Sequence, residues 1–413
     1  MSRMLQPLTL PNGTVIPNRL AKAAMEENLA DAQHAPGERL CRLYQQWAEG
    51  GAGLIITGNV MVDPRALTGP GGVVLESDRH LQQFKAWAAA AQNRGAQAWM
   101  QLNHPGRQMF ASLGQTAVAP SAVALDMPGL NKLFAPVKAL TAAEIEALLA
   151  RFVRAACLAE QAGFSGVQIH AAHGYLLSQF LSPLSNRRTD EWGGDLANRA
   201  RPLLDILTRV RASVAKTFSV AVKLNSADFQ RGGFTVDDAV AVVQMLNPLG
   251  VDLVELSGGS YESPAMQGVT REGSTLAREA YFLEFAEQVA AVATMPLMVT
   301  GGVRRRAVAE RVLEGPVAMV GMATALAMNP GLPKAWQAGQ DVEVAPIVVG
   351  WKKKSLAAAA TQALAKEQLA RLSNGKLGDP DASPLRALLA NQLKTRWQAR
   401  NYRRWVKQQA LQA

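Results

Sequence analysis

Two histidines and a tyrosine, His170, His173 and Tyr175, stand within the run Gln168-Ile-His-Ala-Ala-His-Gly-Tyr175. No packing need explains such a cluster just past an apolar stretch. A proton-transfer site needs this set: two hydrogen-bond donors and a hydroxyl acid on a short rigid segment. The bland alternatives are a structural histidine pair, a half-buried aromatic, or a metal site. The i, i+3 histidine spacing is a poor metal signal without a third ligand, so no metal is assigned.

The segment that must position them is a strand. Gly166-Val-Gln-Ile169 is a short apolar run with β-branched residues after a Gly, and it delivers the trio at its end. A polar loop, Ser182 to Asn198, follows, broken by Pro183 and Gly193-Gly194. Its charges read as a solvated run, with Arg188 and Asp190 as staples of the loop and not as catalysts.

Seven more strand-like runs flank it: Leu20–Met25, Gly53–Gly58, Ala96–Leu102, Val220–Asn225, Asp252–Ser257, Pro296–Thr300 and Val317–Gly321. Helical segments separate them. Arg79 to Arg94 has apolar residues at helical spacing, Thr141-Ala-Ala-Glu144 is a capping box for a helix toward Gly163, and Thr235-Val-Asp-Asp238 opens another that Pro248-Leu-Gly250 ends. Eight alternations predict an α/β fold, a (β/α)8 TIM barrel. A doubly wound sheet also alternates, but no G-x-G-x-x-G follows a strand. Before the barrel, Leu8–Leu10 and Thr14–Ile16 around Asn12-Gly13 predict a small N-terminal hairpin.

The 413 residues are 48% hydrophobic, which fits a soluble globular chain of one large domain plus an appendage. No apolar run is long enough for a membrane span, and the N-terminus has no secretory pattern. Two cysteines, Cys41 and Cys157, support neither a disulfide framework nor an iron–sulfur site, so a cytoplasmic location is expected. The net charge is +10, of which +8 lies in Gln340 to Ala413, with 13 Lys plus Arg against 5 Asp plus Glu. The basic character belongs to the tail, which weakens any inference from charge to nucleic acid. We therefore expect a barrel over residues 1–339 and a basic helical C-terminal extension over 340–413.

In such a barrel, function lies where the strands end. Ala23-Ala-Met25 closes the first run and Glu26 follows it, Gly58 closes the second, and Gln101 stands at the end of the third. Lys223 lies in the fifth, and Gly301-Gly302 and Gly321-Met322 follow the last two. Glycines after the late strands offer backbone N–H groups to a phosphate. A polar amide and a cation toward the middle suit a flat heteroaromatic ring with carbonyl and imide edges. A phosphate site and a ring site together suggest flavin mononucleotide, FMN.

At these residues the sequence resembles the old yellow enzyme family of FMN-dependent NAD(P)H oxidoreductases, from about Leu5 to Trp336. The resemblance is carried by His170-x-x-His173-Gly-Tyr175-Leu, Phe180-Leu-Ser-Pro-Leu-Ser-Asn-x-Arg188-Thr-Asp190-x-x-Gly193-Gly194, Asn198-Arg199 and Gln101-Leu-x-His-x-Gly106-Arg107. It implies an ene-reductase that is reduced by NAD(P)H and then reduces the activated C=C bond of an unsaturated carbonyl or nitro compound by a ping-pong cycle. His170 and His173 would bind the substrate oxygen, His170 also bordering the cofactor, and Tyr175 would protonate the α-carbon. Ala23, Ala24, Met25, Gly58, Gln101 and Lys223 would line the flavin, and Gly301, Gly302, Gly321 and Met322 its phosphate. Lys223 stands where relatives usually have Arg, keeping the charge and losing the planar fork.

Three departures stand out. Glu26, expected in the substrate pocket, occupies a position where relatives carry a small residue near the flavin C4 carbonyl and N5, and a carboxylate there should lower the flavin potential. Met322 replaces a phosphate-binding Arg, leaving the phosphate to backbone N–H groups with help from Arg304. Asn28 replaces an aromatic found in some relatives.

Two rival readings are an FMN barrel acting on RNA, similar to the tRNA-dihydrouridine synthases, and a non-catalytic flavin-binding partner protein. The first would need a cysteine acid near the third or fourth strand; Cys157 falls in a predicted helix. The tail predicts two helical stretches, Trp351–Leu372 and Pro384–Gln409, broken from Asn374-Gly375 through Pro380. An amphipathic hairpin packed on the barrel, or on a second subunit of a homo-oligomer, is expected. An arm closing a neighbour's active site, or a surface for anionic membrane or nucleic acid, is the alternative.

Overall fold

A computed structural model describes residues 2–263, 280 and 282–412, and the expected barrel is there. Eight parallel strands close on themselves: β1 (Leu20–Lys22), β2 (Leu54–Ile56), β3 (Gln97–Asn103), β4 (Gly166–Ala171), β5 (Ser219–Asn225), β6 (Leu253–Ser257), β7 (Leu297–Thr300) and β8 (Met319–Met322). Pairing of Val320 with Leu20 joins β8 to β1, and pairing of Gln168 with Gln101 joins β4 to β3. Every interior strand position is buried, which is why these runs read as continuous apolar stretches and not as alternations.

The hairpin forms with Leu8 opposite Ile16, and Gly13 takes φ +86° at its turn. Its apolar side chains join Leu54, Trp99, Leu253 and Met319 beneath the barrel, closing the amino-terminal end. Both capping boxes form, opening helices Ala142–Gln161 and Val236–Leu246. β1 stops at Lys22, short of the expected Met25. Ala23 makes one more ladder bond to Met322 O, and then the chain turns over the mouth. Short parallel pairs at Val60–Met61 with Val73–Val74, and Ala117–Ala119 with Val137–Ala139, were not expected. Two- and three-residue runs carry no readable period.

The tail forms two helices, Lys354–Ser373 and Pro384–Gln412, which lie on this chain's own barrel. Ala360, Ala363 and Leu364 of the first pack against Ala387 and Leu388 of the second. Tyr402 and Trp405 enter a cluster with Met61, Leu67 and Met109, and the Tyr402 hydroxyl donates to Pro64 O at 3.0 Å.

Candidate active site

β4 ends by presenting His170, buried at 3% exposure, and the chain then turns through His173 at φ +63° and Gly174 at φ +72°. A Cβ at Gly174 would lie 2.7 Å from the Ser260 side chain, so the tight turn needs glycine there. The turn brings the three rings together. His170 stands edge-on to His173 and to Tyr175, with centroids 5.0 Å apart in each case. The sequence trio is a spatial cluster.

A backbone hydrogen bond assigns the proton of His170. The Ala172 N–H donates to His170 Nδ1 at 3.2 Å, so the ring carries its proton on Nε2. His173 Nε2 is engaged with the Ser257 hydroxyl at 2.7 Å, and its backbone N–H donates to Asn225 Oδ1 at 2.9 Å. Burial holds both imidazoles well below their usual pKa, reinforced at His170 by His173 and Lys223 and at His173 by Lys223, so both are neutral. The Tyr175 hydroxyl lies 3.2 Å from that of Tyr261. Burial, the neighbouring Tyr261 and the charge of Glu26 push the Tyr175 phenol well above its ordinary range, which keeps it protonated. Ser257 is a residue the sequence places at the end of the sixth strand, without a role; Tyr261 went unremarked, because its partner Tyr175 is 86 residues away along the chain.

Below the trio lies a continuous polar layer. Gln101 Nε2 donates to Gln168 Oε1 at 2.8 Å, Gln168 Nε2 to Glu255 Oε2 at 2.7 Å, and the Lys223 ammonium to Glu255 Oε1 at 2.7 Å. Thr300 Oγ1 donates to the same carboxylate oxygen at 2.7 Å. Gln101 and Lys223 were singled out in the sequence; Gln168 and Glu255 were not, and it is strand register that brings the four into one layer.

The loop after β1 shows how the remaining predicted residues are used. The Ala23 N–H is spent on Met322 O. Gly58 N–H donates to the Tyr44 hydroxyl at 2.8 Å and to Glu27 Oε1 at 3.1 Å. A Cβ on Gly58 would come within 2.2 Å of Met25 O, so that approach needs glycine. Met25 packs at the edge of the core and Ala24 against the cluster beneath the barrel. Under this loop the fully buried Lys22 lies 3.5 Å from Glu27, with its pKa lowered to about 8, chiefly by burial. Glu26 accepts from the Thr68 hydroxyl and stands 3.7 Å from Lys366 of the tail. It is thus a paired carboxylate.

On the phosphate side, Gly302 has φ +73° and Gly301 O accepts from Ala280 N. A Cβ on Gly321 would lie 2.0 Å from Thr300 Oγ1, so packing between β7 and β8 already requires glycine. Met322 points into the core at 1% exposure, which leaves only backbone at that position. Arg188 is a staple as expected: its guanidinium donates to Asp190, Pro120 O and Leu140 O. Cys157 lies on helix Ala142–Gln161 beside Ser213 O. No described helix is long and apolar enough to cross a membrane.

The residues present fit a flavin. Asn103, two residues after Gln101 on β3, is fully buried, and both of its amide atoms lack a partner among the described residues. A buried amide in that state calls for a bound polar group. The Lys223 ammonium keeps further donors beyond its bond to Glu255.

A closed parallel barrel with this polar layer and a His–His–Tyr cluster at its carboxyl mouth defines a barrel oxidoreductase of the flavin type. Residues 3–343 match the NADH:flavin oxidoreductase / NADH oxidase family, and the chain belongs to it, within the old yellow enzyme group. It is an oxidoreductase with FMN as cofactor and reduced nicotinamide as reductant. It is similar to the NADH-dependent flavin oxidoreductase iliE of Neonectria sp. (strain DH2), with 40% identity covering 80% of this chain and 46% of that protein. The iliE protein of Hypocrea jecorina (strain QM6a) is 39% identical, covering 82% of this chain and 89% of that one. The solved old yellow enzyme homologue from Zymomonas mobilis superposes with TM-score 0.70 at 26% identity, over 82% of this chain and 94% of that one. The chain spans only about half of the Neonectria protein, and likewise 52% of 2-naphthoyl-CoA reductase, which it matches with TM-score 0.75 at 28% identity over 82% of its own length.

Proposed function

We propose that this protein is an ene-reductase acting on α,β-unsaturated carbonyl or nitro compounds. The observation that carries the reading is the assigned proton on His170 Nε2, edge-on to a protonated Tyr175. FMN, when bound, would supply the hydride-transfer chemistry between the reduced nicotinamide and the substrate.

The chain's own groups do the rest. His170 Nε2–H, with the His173 nitrogen not taken by Ser257, donates to the carbonyl or nitro oxygen. That withdraws electron density from the conjugated alkene and makes its β-carbon electrophilic. Neutral imidazoles suit this role, because they polarise the oxygen without transferring a proton to it. Tyr175 gives its hydroxyl proton to the α-carbon, and the Tyr261 hydroxyl is placed to hydrogen-bond the phenolate that remains. Gln101, Asn103 and Lys223 would hold the ring of the cofactor, and the Gly301–Gly302 turn its phosphate.

The test is an anaerobic visible spectrum of the purified protein, titrated with NADPH or NADH and then with 2-cyclohexenone. Bleaching by the nicotinamide and recovery of colour with the enone are expected. A flavin that is reduced but not reoxidised by enones or nitroalkenes would overturn the C=C assignment.

A further inference from the structure

We propose that the C-terminal extension is part of this active site: Lys366 pairs with Glu26, offsets its charge at the mouth of the barrel, and helps fix the loop that carries it. The matched family region ends at residue 343, so both tail helices lie beyond it. They nevertheless converge on two residues that follow β1, Glu26 and Asn28. Lys366 Nζ stands 3.7 Å from Glu26 Oε2 and donates to Asn28 Oδ1 at 2.5 Å. Gln398 of the second tail helix donates to Asn28 O at 3.2 Å. Asn28 has φ +52°, the left-handed region that asparagine adopts more readily than other non-glycine residues. Gly71 leaves the room for this approach, since a Cβ there would lie 2.4 Å from Gln398 Nε2.

The charge logic is local. Glu26 is the carboxylate whose field reaches Tyr175 and Tyr261. An unopposed negative charge at that place disfavours added electron density on anything bound in the mouth. Lys366 is the cation seated against it. The tail thus supplies in three dimensions what the unusual acid at position 26 requires.

The proposal rests on reading the mouth as the flavin site, and the experiment separates the two. The full-length FMN-loaded protein is compared with Lys366→Met, Lys366→Arg, Glu26→Gln and Glu26→Gln/Lys366→Met. The flavin midpoint potential should fall in Lys366→Met, stay near the parent in Lys366→Arg, rise in Glu26→Gln and return toward the parent in the double variant. KM for an enone should rise several-fold in Lys366→Met, with kcat changed far less. A potential unmoved by Lys366→Met would overturn the proposal, even if enone reduction is confirmed. A moved and restored potential would uphold it, even if enones prove not to be substrates. Thermal unfolding of the same proteins without flavin reads the pair independently. Pairing predicts that the double variant loses less than the two single losses combined, and strictly additive losses would count against it.

Discussion

The Lys223 ammonium lies 2.7 Å from the Glu255 carboxylate, with both side chains removed from solvent. The cation expected to face the flavin is therefore already half-neutralised by the strand beside it, and its charge is shared between ligand and barrel. Glu255→Gln should raise the flavin midpoint potential by leaving that charge uncompensated. Lys223→Met strands a buried carboxylate and should cost about 3–5 kcal/mol of stability, read by chemical denaturation. A stability loss under about 1 kcal/mol in Lys223→Met would mean that the pair contributes little to the fold.

Tyr175→Phe should leave flavin reduction by NAD(P)H nearly intact, because no proton goes to carbon in that half-reaction. Reoxidation by an enone should slow by roughly 10²–10⁴-fold. Tyr261→Phe, which removes only the 3.2 Å partner, should slow the same half-reaction by much less. Stopped-flow rates for the two half-reactions separate these outcomes, and equal losses in both would sink Tyr175 as the acid.

The two site histidines are held neutral, so the binding of an uncharged enone should be independent of pH from about 6 to 8, despite the ordinary histidine pKa near 6.5. Spectral titration of the oxidised protein measures this. A limb near 6.5 that disappears in His170→Asn would show that the ring protonates after all.

His104 offers a stability test outside the reacting trio. It is fully buried, its Nδ1 accepts the Gly106 N–H at 3.1 Å, and burial lowers its pKa to about 4. Since the folded state binds this proton less readily than the unfolded one, the stability it contributes is complete above about 6.5 and is lost as pH falls toward 4, by about 3 kcal/mol in all. His104→Asn keeps an acceptor for Gly106 without the titration. Its stability should fall less than the parent's over that window, and parallel pH curves would contradict the assignment.

The sequence by itself pointed to the barrel, because eight apolar runs alternate with helices and no G-x-G-x-x-G follows a strand, and local signals such as the two capping boxes and the Asn-Gly turn act over a few residues. It also marked the trio of His170, His173 and Tyr175, since these lie together along the chain as well as in space. Only the tertiary structure decided what surrounds them. Ser257 and Tyr261 reach the trio from the strand end of β6, Gln168 and Glu255 join Gln101 and Lys223 into one layer, and Lys366 reaches Glu26 from 340 positions further along the chain. These partners are brought together by barrel closure and by the docking of the tail. Neither leaves a local period in the sequence, because the spacing of residues across a closed sheet is set by strand register and not by distance along the chain.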